Sequence, residues 1–102
     1  MDYVALLTFR DTISGAERDA ALIRRAAWQY PAGFDVAAEW WPMTDAPHVV
    51  VLFSTEDPGA IMELEFEWND VFDVKIAPAL RADQGLALGA EVFGRLNRLQ
   101  PA

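Results

Sequence analysis

Cysteine is absent from this 102-residue chain. That absence excludes disulfides, thiolate nucleophiles and cysteine-based metal sites. Histidine occurs once, at His48, and lysine once, at Lys75. A single imidazole falls short of the three or four ligands that usual metal sites need. Basic charge is scarce as well. The eight Lys and Arg are scattered, and the formal net charge is −8. Without a basic face, nucleic acid is not expected as a partner. The acidic excess most simply serves solubility. No apolar run approaches the ~18 residues of a membrane span. The start, Met1-Asp2-Tyr3, lacks the basic segment and cleavage site of a signal peptide. A cytoplasmic protein with no membrane partner is therefore expected. There is no Gly-rich phosphate loop, nucleophile elbow or pair of catalytic carboxylates.

What is present is apolar material, 53% of the residues, which excludes a disordered chain. The length suits one domain, taken as residues 1–102 with a core over 2–78 and a C-terminal helix over 82–99. Asp2 to Arg10 alternates and reads as a strand. Ser14 and Glu17 have the spacing of a capping box. The helix they start is expected to run to about Tyr30, with Ala16, Ala20, Ile23, Ala27 and Tyr30 on its inner stripe. Pro31-Ala32-Gly33 stops it. Phe34 to Trp41 and His48 to Thr55 read as strands around a turn-rich loop. Asp57-Pro58 marks a second helix start, with Ile61, Leu64 or Glu65, and Trp68 turned inward. Val71 to Ala77 is a fourth strand. In the last helix, Gly85, Gly89 and Gly94 each weaken the segment by up to ~1 kcal/mol relative to Ala. That helix is expected to form because it packs on something, with a partner subunit as one candidate.

The order strand, helix, strand, strand, helix, strand matches the ferredoxin-like unit. The expected fold is α+β, with a four-stranded antiparallel sheet in the order 4-1-3-2 and both helices on one face. The run Trp68-Asn69-Asp70-Val71-Phe72-Asp73-Val74-Lys75-Ile76-Ala77-Pro78 resembles the ending of an uncharacterised domain-of-unknown-function family of short prokaryotic proteins. Leu7-Thr8-Phe9-Arg10 and the segment from Val51 to Ala60 are similar to it too. That family is placed with the dimeric α/β-barrel proteins. The resemblance implies that two sheets pack face to face into a barrel. It carries no catalytic motif, and fold alone does not choose among the activities of such proteins.

Strand alternation divides the side chains between two faces. One expected set is Tyr3, Ala5, Leu7, Phe9, Phe34, Val36, Ala38, Trp40, Val49, Val51, Phe53, Phe72, Val74 and Ile76, assigned to the helices. The other set is mixed and is assigned to the barrel interior. It includes Val4, Leu6, Thr8, Arg10, Glu39, Trp41, His48, Val50, Leu52 and Asp73. An apolar face left open by the helices asks for a partner, most simply a second copy. Topology brings Arg10, Trp41, His48 and Asp73 to one end of the sheet. Such a row offers a fixed positive charge, an aromatic plane and two titratable groups, a candidate site for a planar anionic small molecule. The structural reading of the same residues weighs more: Arg10 and Asp73 as a cross-strand ion pair, and His48 as a solvated strand start. His48 with Glu39 and Asp73 is the weaker metal reading, and no cofactor is expected. Trp28, Trp40 and Trp68 are expected in or near the core.

Three functions are compatible with these observations. They are a small-molecule-binding homodimer, a cofactor-independent oxygenase or isomerase acting on a planar oxygenated substrate, and a purely structural or partner-binding dimer. The sequence offers no nucleophile and no metal cage, so binding ranks above catalysis.

Overall fold

A computed structural model describes residues 1–97 of the chain. The elements run β1 (Asp2–Phe9), α1 (Gly15–Ala27), β2 (Asp35–Trp40), β3 (Val49–Ser54), α2 (Pro58–Trp68), β4 (Phe72–Pro78) and α3 (Ala82–Arg95). The four strands form one antiparallel sheet in the order β2-β3-β1-β4. This is the ferredoxin-like α+β arrangement expected from the order of elements. No helix among the described residues is long and apolar enough to cross a membrane.

Local chemistry sets the helix ends. Ser14 Oγ accepts the Glu17 N–H at 3.2 Å, and Glu17 Oε1 accepts the Ser14 N–H at 3.3 Å. Two free donors of α1 are thereby satisfied at once. At α2, Asp57 Oδ1 accepts the Gly59 N–H at 2.9 Å, and Pro58 occupies the first helical position. Helix α1 ends at Ala27 rather than near Tyr30, because Trp28 is already extended. The last helix stops at Arg95, short of the expected 99, because Leu96 caps it and Asn97 turns at a positive φ of 57°; residues 98–99 lie outside the described residues.

The core lies between the sheet and helices α1 and α2. It contains Ala5, Leu7, Val49, Val51, Phe53 and Phe72 from the strands, with Ala21, Leu64 and Trp68 from the helices. The aromatic rings interlock: Trp28 meets Trp68 edge to face at 5.5 Å, and Phe34 stacks on Phe53 at 4.4 Å. The inner stripe of α1 differs from the one expected. Ala21, Arg25 and Trp28 face inward, while Ile23 is 74% exposed. The helix has turned an arginine toward the sheet because three aromatic rings there receive its guanidinium.

Strand β2 departs from simple alternation. Val36 pairs with Phe53, but Ala38 pairs with Leu52, the very next residue of β3. Ala37 is therefore an extra residue, a β-bulge. Beyond it every side chain of β2 changes face. Ala38 and Trp40 share the open face with Leu52 and Val50, while Glu39 stands beside buried Val51 on the helix side. The expected positions of Ala38, Glu39, Trp40 and Trp41 are thus reversed. His48, expected on the barrel face, precedes β3 and lies on the helix side, while the assignments within β1, β3 and β4 follow the register.

The open face carries two apolar rows, Ala38–Leu52–Val4–Ala77 and Trp40–Val50–Leu6, the second ending at Lys75. Leu52 is 41% exposed and Trp40 67%. Helix α3 buries none of its residues, and Leu86, Leu88 and Phe93 are exposed. The Cα radius of gyration, 17.6 Å, exceeds the ~13 Å of a compact chain of this length.

Truncation should separate the true core from the expected one. Leu64→Ala is expected to cost about 2–5 kcal/mol, and Ile23→Ala less than about 0.5 kcal/mol. Urea denaturation followed by circular dichroism measures both. Equal losses would contradict the observed facing of α1.

Candidate functional site

The bulge delivers Glu39 to a cleft between α1 and the β2–β3 edge. There one carboxylate gathers three donors. Arg25 Nη2 donates to Glu39 Oε1 at 2.6 Å, Trp41 Nε1 donates to Oε2 at 2.8 Å, and the Tyr30 hydroxyl donates to Oε1. The Tyr30 oxygen also accepts from Arg25 Nη2 at 3.0 Å. The Arg25 side chain is only 9% exposed. Its guanidinium carbon lies 4.5 Å from the Trp28 ring centre and 5.0 Å from that of Trp68. Trp28 Nε1 in turn donates to Glu67 of α2, which ties the end of α1 to its neighbour.

Electrostatics follow from this enclosure. Burial pushes the Glu39 carboxyl up, but the hydrogen bonds from Tyr30, Arg25 and Trp41, with the Arg25 charge, outweigh it and leave it below the usual range. Burial pushes the Tyr30 phenol up, and its hydrogen bond to Glu39 adds to this, so the hydroxyl stays protonated. Nearby, Arg24 places two hydrogen bonds of 3.0 Å on Asp70. That contact holds the Asp70 carboxyl low and ties α1 to the turn before β4.

The cleft has two adjacent parts. An outer part of about 390 Å³ is walled by Trp28, Tyr30, Trp41, Arg25, Glu39 and Leu22. A smaller inner chamber of about 70 Å³ lies against Phe9, Ala21, His48, Trp68 and Phe72. Leu22, Arg25 and Trp41 border both parts.

The four residues singled out in the sequence divide into two pairs. Trp41 and His48 meet at the inner chamber, on the helix side of the sheet. His48 Nδ1 accepts the Phe9 N–H at 3.1 Å, and Nε2 lies 2.9 Å from Arg18 Nη2 of α1. Both ring nitrogens are therefore engaged. A neutral imidazole has one acceptor nitrogen, so only one of these two donors is properly received. Arg10 and Asp73 form the other pair, an ion pair at 3.3 Å, with Arg10 Nε also donating to the Asn69 carbonyl at 2.7 Å. Both partners are largely exposed, and such a pair contributes under about 1 kcal/mol. The expected single row across one face is not formed, because β2 is bulged and the His48 ring packs over Phe9, 4.9 Å between centres. Among the described residues no group of three or more His, Asp or Glu is placed to hold a metal ion.

Arg25, Tyr30 and Glu39 were not visible as a site in the sequence. The available signal was weak. Arg25 lies four residues after Ala21 and three before Trp28, on one helical stripe. Two adjacent alanines, Ala37 and Ala38, are poor strand formers at the point where the bulge occurs.

Residues 1–93 match the family described as a domain of unknown function, DUF3303. The chain belongs to that family. A search of curated proteins finds no match.

Removing the carboxylate should strand the buried guanidinium. Glu39→Ala is expected to cost about 3–5 kcal/mol, and Glu39→Gln less, since Gln still accepts a hydrogen bond. The folded carboxyl lies below its unfolded value. Its stabilising contribution is therefore present above the unfolded value of about 4.3 and is lost as pH falls through the folded one. Denaturation of parent and Glu39→Gln from pH 7 to pH 3 should show their difference shrinking in acid. A difference that does not change with pH would exclude this linkage.

Proposed function

We propose that this DUF3303 member acts as a homodimer joined through the open faces of its sheets, and that the dimer binds a small planar molecule. The observation that carries the dimer is the uncovered face itself. Its two central rows, Ala38–Leu52–Val4 and Trp40–Val50–Leu6, are aliphatic and aromatic, and the described helices α1 and α2 lie on the other side. A contiguous apolar surface of this kind marks an interface. A second copy presents the same rows, so an isologous pairing buries both at once. Polar Asp35 and Ser54 at one end, and Thr8 and Asp73 at the other, make a rim around an apolar centre. Helix α3 is a second apolar surface that buries none of its residues among the described residues, and a second copy would give its stripe burial.

Binding is preferred to catalysis on the state of the polar groups in the cleft. Glu39 and Tyr30 are tied to Arg25 and to each other, and the nitrogens of His48 are engaged by Phe9 and Arg18. A general base needs a free lone pair within reach of the substrate. The cleft instead combines aromatic walls with a few fixed polar groups, the usual form of a recognition site.

Sedimentation at micromolar concentration should give twice the chain mass of 11.4 kDa. Leu52→Glu should give the monomer with an unchanged far-ultraviolet spectrum, since a buried unpaired carboxylate costs several kcal/mol. A monomeric parent protein, or a Leu52→Glu variant that dimerises as well as the parent, would remove the open face as the interface.

A further inference from the structure

The inner chamber beneath α1 holds two donors that the described residues leave unused. Arg25 Nη1 and Trp68 Nε1 are buried N–H groups with no hydrogen-bond partner among the described residues. Among the described residues they are the two buried side-chain polar atoms in that condition. They also belong to neighbouring side chains, with the Arg25 guanidinium carbon 5.0 Å from the Trp68 ring centre. Both residues line the same chamber. An unpaired buried donor costs about 1–3 kcal/mol, and more when charged. Folded proteins leave few such groups, so two on the lining of one chamber call for an acceptor.

The chamber's own walls do not supply one. Phe9, Ala21, Leu22, Val49 and Phe72 are apolar there. His48 already receives the Phe9 N–H. The chamber shares Leu22, Arg25 and Trp41 with the adjacent outer cleft, whose walls include Trp28, Tyr30 and Trp41. Its size of about 390 Å³ falls within the ~300–1,000 Å³ of small-molecule sites. Aromatic walls favour a flat ring, which they meet by stacking or edge to face. Charge narrows the choice further. Arg25 is already offset by Glu39 at 2.6 Å. A second anion beside that carboxylate meets repulsion, whereas a neutral oxygen gains both N–H groups without it.

We propose that this cleft takes a flat aromatic molecule bearing a neutral carbonyl oxygen. The oxygen sits in the inner chamber against Arg25 Nη1 and Trp68 Nε1, and the ring lies in the outer cleft against Trp41. The proposal rests on the small-molecule reading above and supplies its site and ligand class. It does not depend on the dimer.

Calorimetric titration with three probes tests it. Chromone carries the carbonyl on a two-ring skeleton, chroman lacks it, and 2-naphthoate replaces it with a carboxylate. Chromone should bind saturably and about tenfold or more tightly than either of the others. Trp68→Phe keeps a ring but removes one donor, and should weaken chromone by about tenfold. Ala26→Trp adds bulk on the exposed side of α1 at the outer cleft, where folding is unaffected, and should abolish binding. Equal affinity for chromone and chroman would overturn the carbonyl assignment, and tighter binding of 2-naphthoate would overturn its neutrality. Chromone binding that neither variant changes would overturn this site while leaving the small-molecule reading intact. If none of the probes binds, solvent alone serves the two donors and both readings fall.

Discussion

The enclosed charge of Arg25 is the constraint on which the helix side of this protein depends. A guanidinium that is nine-tenths covered must be paired, or the fold loses several kcal/mol. The pairing carboxylate comes from β2, on the far side of a turn and a loop, and reaches the cleft only because one residue of the strand is extra. Tyr30 and Trp41 then complete the hydrogen bonding of that carboxylate, and Trp28, Tyr30 and Trp68 supply π faces to the cation. The position of α1 on the sheet, the end of β2 and the shape of the cleft are consequences of satisfying one ion pair.

Element order and type were legible in the residues themselves. Apolar alternation in β1 and β3, the Ser14–Glu17 box and Asp57-Pro58 each state a local preference, and tertiary packing agrees with them. Leu64 and Trp68 were legible as core because they lie four apart on one stripe of α2, although Met62 and Phe66 form a second apolar stripe that stays exposed. The facing of α1 was not. Its sequence offers Ile23 to an apolar periodicity and Arg25 to an aromatic surface, and the rule of apolar stripes has no place for a stacked cation.

The candidate site was half legible for a related reason. Asp73 lies on regular β4 and Arg10 directly follows β1, its neighbour, so counting residues brought them together. Trp41 and Glu39 lie past the bulge, where counting by twos gives the opposite face. His48 precedes the first ladder residue of β3, so its ring is free to follow Phe9 rather than the alternation. A local irregularity one residue long is enough to move a carboxylate from one side of a sheet to the other, and the sequence marks it only by the weak strand preference of Ala37 and Ala38.

The same bulge has a consequence for how copies of this chain meet. In the order β2-β3-β1-β4, β2 is an outer strand, with one side of its backbone unpaired. Flat outer strands invite further strands and grow into continuous sheets. An extra residue interrupts the regular spacing of donors and acceptors along that border and twists it away from a second strand. The opposite border, β4, carries Asp73 and Lys75 and ends at Pro78, which has no N–H to offer. Both borders therefore resist lateral growth. In the dimer proposed above, contact between copies is left to the broad faces, where an isologous pairing closes on itself rather than extending into a fibre.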